Sequence, residues 1–98
     1  MWLNLPKIKS VQNYSAGTAL IKWEKNEKAT GYIVKYTTDP NFKKNVRSIT
    51  IRTNSPKLLI KNLTKGKTYR FRVCSYRKYN KKNYFSAWSS LAALKIKK

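Results

Sequence analysis

The chain has 98 residues, enough for one core over residues 1–98 and too few for a large enzyme with an interdomain cleft, since a chain this short buries only roughly 60–65% of the surface its unfolded form exposes. Its 23 Lys and Arg against 3 Asp and Glu leave a formal charge of +20, yet 41% hydrophobic and 13% aromatic residues supply the apolar material to fold. With no histidine, with Glu24, Glu27 and Asp39 set among lysines and a proline, and with scattered glycines, the chain lacks the raw material of a His-based triad, a zinc or calcium site, a paired-carboxylate site or a phosphate loop, so no catalysis, metal or cofactor is expected.

Taken in chain order, the opening Met1-Trp2-Leu3-Asn4-Leu5 has neither the apolar core nor the small-residue cleavage pattern of a leader. The export signal of a secreted domain would then lie outside these residues, and no run of about 18 or more apolar residues follows to span a membrane. Pro6 to Val11 predicts a short first strand with Ile8 inward, and Gln12 to Gly17 a polar turn. Thr18 to Glu24 alternates cleanly, with Ala19, Ile21 and Trp23 on one face and Leu20, Lys22 and Glu24 on the other. After a charged turn, Gly31 to Thr37 repeats the pattern and places Tyr32, Val34 and Tyr36 together, with Ile33 and Lys35 facing away. Asp39-Pro40-Asn41 predicts a turn, because proline presets one backbone dihedral and an aspartate caps the backbone two residues on.

Val46 to Thr53 turns Ile49 and Ile51 inward, and Lys57 to Leu63 does the same with Leu58 and Ile60. Beyond the corner Thr64 to Thr68, the run Tyr69 to Ser75 alternates Tyr69, Phe71 and Val73 with Arg70, Arg72 and Cys74, the mark of a half-solvated sheet face. The lone Cys74 has no disulfide partner in the chain and reads as a structural thiol. A basic hairpin loop is expected from Arg77 to Asn83, then Tyr84 to Trp88 and a final strand, Leu91 to Ile96, with Lys97-Lys98 beginning a linker. Seven short strands in about a hundred residues, with turn signals every 8–12 residues, is the pattern of an all-β, immunoglobulin-like antiparallel sandwich. Its two sheets would share Trp23, Tyr32, Tyr36, Leu63, Tyr69 and Phe71 as a core, with the polar groups of Trp23 and Tyr69 bonded to backbone.

Four segments in this order resemble the fibronectin type III domain over nearly the whole chain. Ile21-Lys22-Trp23 looks like that family's core tryptophan, and Gly31-Tyr32-Ile33-Val34-Lys35-Tyr36 like its third strand. Leu63 to Val73, with Gly66 and Tyr69, is similar to its tyrosine corner, and Ser86-Ala87-Trp88-Ser89 precedes the last strand. Ala29 to Tyr32, Tyr36 to Asp39 and Tyr84 to Ser89 further resemble type III domains in surface and secreted proteins of Gram-positive bacteria. That resemblance implies an extracellular or cell-surface location, neighbouring domains in a multidomain chain and a non-catalytic spacer or interaction role, as a monomer. No Arg-Gly-Asp precedes the last strand, so integrin adhesion is not implied.

Phe85-Ser86-Ala87-Trp88-Ser89 is also similar to the Trp-Ser-any-Trp-Ser motif of cytokine-receptor type III domains, with Phe85 in place of the first tryptophan. The resemblance implies a ladder of Arg70, Arg72, Phe85 and Trp88 in which one or both arginines, projecting outward from the neighbouring strand, stack on Trp88. A sugar-binding platform is the functional alternative, and the ladder is preferred because a guanidinium over the ring leaves that face closed. Lys78, Lys81 and Lys82, interleaved with Tyr76, Tyr79 and Tyr84, form a basic tip that reads first as a solvated hairpin whose tyrosines cover its base and, as the functional alternative, as a candidate polyanion-binding site, with Lys43, Lys44 and Arg47 a second cluster. The expected ligands are an anionic cell-envelope polymer or acidic glycan. Nucleic acid would be held only nonspecifically, because no recognition motif accompanies the charge.

Overall fold

The computed structural model describes residues 5–98, and the opening residues 1–4, read above for a leader pattern, lie outside the described residues. Period-2 alternation decides which faces are buried. β2 (Thr18–Trp23) buries Ala19, Ile21 and Trp23, and β3 (Gly31–Thr37) buries Tyr32 and Val34 with Tyr36 packed partly against them. β6 (Thr68–Tyr79) adds Tyr69, Phe71 and Val73 to the same core. The remaining strands are β1 (Ile8–Ser15), β4 (Arg47–Ile51), β5 (Lys57–Ile60), β7 (Lys82–Phe85) and β8 (Ala92–Lys95). They form an immunoglobulin-like sandwich of two antiparallel sheets, one ordered β1-β2-β5 and one ordered β4-β3-β6-β7 with β8 also paired to β6.

Eight strands are found where seven were expected. The additional one arises because the last strand is interrupted. Tyr76 pairs with Phe85 and Phe71 with Ala92, so residues 86–91 run opposite only residues 72–75 and the longer segment must bulge. Two serines repair the ladder there. Ser86 Oγ accepts the Ser75 N–H at 2.9 Å, and Ser89 Oγ accepts the Val73 N–H at 3.0 Å. The backbone N–H groups of the same two serines donate to the Ser75 and Val73 carbonyls.

Two segments expected as loops are strand. Gln12 to Ser15 belongs to β1, leaving Ala16-Gly17 as the turn, with Gly17 at φ +62°. Its polar residues mislead because they face outward or bond to backbone. Asn13 Oδ1 accepts the N–H groups of Lys97 and Lys98 at 2.7 and 2.8 Å, and Gly17 N–H donates to Lys98 O at 2.9 Å. The pair expected to begin a linker is thereby tied to the first hairpin. The basic segment 77–83 is likewise strand on both sides of a two-residue turn. Asn80 and Lys81 have φ of 51° and 63°, the left-handed pair that a two-residue hairpin with matching twist requires.

The corner before β6 is closed by Tyr69, whose hydroxyl oxygen accepts the Thr64 N–H at 2.8 Å, while Leu63 N–H donates to Gly17 O at 2.9 Å. Trp23 corrects the expectation made for it. Its Nε1 is buried with no hydrogen-bond partner among the described residues, and the ring instead meets Tyr32 edge-on at 5.2 Å. Gly31 is fixed by proximity, since a Cβ there would lie 2.0 Å from Ile51 O on β4.

Candidate functional site

Outward residues of β3, β4, β6 and β7 make one continuous face, and its two halves differ. In the half nearer the β3–β4 loop, the Arg72 guanidinium lies 4.5 Å from the Phe42 ring centroid and 4.7 Å from that of Trp88. Lys35, paired with Arg72 across the strands, places its Nζ 5.2 Å from the same Trp88 ring. Two like charges directly opposite each other repel, and the electron-rich face of Trp88 offsets that repulsion. Arg72 Nε is buried without a hydrogen-bond partner among the described residues, in a guanidinium that lies over two rings.

Phe42 reaches this stack from a tight turn that Asp39 organises. The Asp39 carboxylate accepts backbone N–H groups from Asn41 at 3.0 Å, Lys43 at 3.0 Å and Lys44 at 2.8 Å. These bonds hold its carboxyl below the usual carboxylate range. Phe42 itself sits at φ 56°, a left-handed conformation that bulky side chains rarely adopt. Of the ladder residues named from the sequence, Arg72 and Trp88 are stacked. Phe85 is turned to Tyr76 at 6.3 Å, and among the described residues Arg70 makes no ring contact. Phe42 and Lys35 occupy the places that Phe85 and Arg70 were expected to fill, because the interrupted strand carries Phe85 further along β6 than Trp88.

The other half is open. A groove of about 580 Å³ is floored by Ile33, Tyr76 and Phe85, and Arg52, Lys78 and Lys81 stand around it. Its lining includes no acidic residue. Phe85 is 57% exposed, whereas Tyr76 is buried at 8%. Between the two halves lies Cys74, 1% exposed, whose thiol burial pushes up to about 11. A thiol so protected is a poor nucleophile at neutral pH.

The candidate cations are divided by this geometry. Lys78 and Lys81 line the groove and Lys82 starts the return strand outside it. Lys43 and Lys44 lie in the β3–β4 loop, and Arg47 pairs with Tyr36 at the far end of the sheet. From Arg70 to Tyr79 the strand advances about 30 Å, so the two clusters do not form one site. Arg52, the residue after β4, was not singled out in the sequence. Only the pairing of β4 with β3 and of β3 with β6 brings it to the same groove as Lys78.

No helix of the described residues is long and apolar enough to cross a membrane. A search of the curated proteins finds no match. Among solved structures, one titled "Myokine structure" superposes with a TM-score of 0.72 at 18% identity, covering 97% of this chain and 98% of that one. The fn3 domain of human collagen alpha-1(XX) chain gives 0.72 at 18% identity over 98% of this chain and 86% of that one. The chicken CNTN1 FN1-FN3 domains give 0.76 at 13% identity, over 98% of this chain and 33% of that one. At these identities the likeness is one of fold. The model of the fibronectin type III domain matches residues 6–91, nearly the whole sandwich including the tyrosine corner and the serine-bridged bulge, and the chain belongs to that family.

Proposed function

We propose that this chain is an interaction or spacer module of a larger bacterial surface or secreted protein, a single monomeric domain over residues 1–98 that presents its basic face to an anionic polymer of the cell envelope. Fibronectin type III domains are generally non-catalytic modules of this kind and are typically extracellular. The observation that carries the polyanion reading is the charge of +20, with cations gathered at both ends of one sheet face and only 3 acids in the chain. Such a surface attracts polyanions and accelerates their capture, through a field that salt screens.

The test is retention of the folded chain by polyphosphate or a uronate polymer as salt is raised. Capture through several charges weakens log-linearly with salt. Binding that persists near physiological salt supports the interaction role, and its loss there reduces the chain to a spacer. A capture surface devoted to nucleic acid is the competing reading, and preference for single-stranded DNA over a uronate polymer of equal charge would establish it.

A further inference from the structure

We infer that the open groove between β4 and the β6–β7 hairpin is a binding site for an acidic sugar segment, one that stacks a ring face on Phe85 and places its anionic group among Arg52, Lys78 and Lys81. The inference rests on the polyanion reading above and assigns it a place and a ligand class.

Three features lead to it. The groove volume, about 580 Å³, lies within the range of small-ligand clefts, about 300–1,000 Å³. Its three cations come from two parts of the chain, Arg52 from the β4 end and Lys78 and Lys81 from the hairpin, and face no acid within the lining. Like charges gathered around one concavity repel in the free protein, and a bound anion relieves that repulsion. The apolar floor then selects among anions. Tyr76 is buried, so Phe85 is the one widely exposed aromatic face of the groove. Single-stranded nucleic acid is best held by successive stacking faces, which this groove does not offer. A sugar needs one such face for its apolar side, with hydrogen-bonding groups around it for its hydroxyls. Thr50 and Asn83 supply these from opposite walls.

The other half of the same face cannot serve, because Arg72 lies against Trp88 and Lys35 is directed to that ring as well. Lys81 is held at the hairpin tip by a left-handed backbone conformation, in the turn that sets β7 and hence Phe85 beside Tyr76. Turn, exposed ring and cation are therefore one local unit.

The test is titration of the folded chain, followed by NMR or calorimetry, with tetragalacturonate, with the neutral galactose tetramer and with a four-residue oligothymidylate. Tetragalacturonate is expected to bind at least tenfold more tightly than either. Phe85→Ala and, separately, Arg52→Gln with Lys81→Gln are each expected to weaken it about tenfold. Lys44→Gln, at the far end of the sheet, is expected to change it less than twofold. Because Phe85 is exposed, its removal is readily checked for retained folding by thermal melting. Equal binding of oligothymidylate, or indifference of tetragalacturonate to both groove variants, would overturn the site. The general reading fails separately, if long polyphosphate and uronate polymers are not retained by the unaltered chain.

Discussion

On the outer face of the five-stranded sheet, Arg72 lies against the rings of Phe42 and Trp88, while Lys78, further along the same strand and on the same side, stands at the edge of an open groove. Both positions obey one alternation and carry one charge. The difference lies in what the rest of the chain brings to them. The β3–β4 loop delivers Phe42 and the bulge delivers Trp88, so that half is filled by the protein itself. The hairpin delivers Phe85 with its ring exposed and adds Lys81 instead of a cover. A cation's sign alone therefore does not make a binding surface. A cation contributes to recognition where its neighbours leave it accessible.

The largest effect expected from this contrast is on stability. Trp88→Ala removes the ring shared by Arg72 and Lys35 and should cost about 2–3 kcal/mol in chemical denaturation, against about 0.5 kcal/mol for Phe85→Ala. Comparable costs for the two would erase the distinction between a closed and an open half. Next comes the bulge that positions Trp88. Ser89→Ala leaves the buried Val73 N–H without its acceptor and should cost about 1–2 kcal/mol, measured by the same unfolding curves, with Ser86→Ala costing less. Were Ser89→Ala neutral, the serine would not be closing the ladder.

A smaller effect has the opposite sign. Lys81 occupies a left-handed conformation, and Lys81→Gly should raise stability by about 0.5 kcal/mol while weakening capture of a uronate polymer. A melting temperature that falls would place the strain elsewhere. The last effect is absent at neutral pH. Because the carboxyl of Asp39 is held below its ordinary value in the folded chain, the stability it contributes is complete above that ordinary value and is lost as pH falls through the lowered one. Acid titration followed by the NMR resonances of the Trp88 indole should show the Phe42 side of the stack loosening first, and Asp39→Asn should remove that step. An unchanged acid profile in the variant would detach the turn from the stack.

How much of this was legible in the sequence follows from where each residue's partners lie. β2, β3 and β6 were readable because alternation is local, and the corner because Thr64 and Tyr69 are five residues apart. The segments 12–15 and 77–79 were misread as loop because they are polar throughout, and the turn after the second carries Asn80-Lys81 in place of a glycine signal. Phe42 gave no signal at all, as it sits in a loop where no periodicity operates and reaches Arg72 only through a turn capped by Asp39. Arg52 was hidden for a different reason: its nearness to Lys78 depends on the order of three strands. Pairwise patterns along the chain predict which face a residue takes, and the sheet order decides which residues share it.

The central claim, that the open half of this face is the part of the +20 charge that meets a ligand, is tested most directly by the salt dependence of uronate-polymer binding in two triple variants. Arg52, Lys78 and Lys81 changed together to Gln should weaken binding and flatten the slope of log Kd against log salt by about two units. The same change at Lys43, Lys44 and Arg47 should leave both nearly as they are. Equal losses in the two variants would mean that only total charge matters, and would contradict the assignment of the groove.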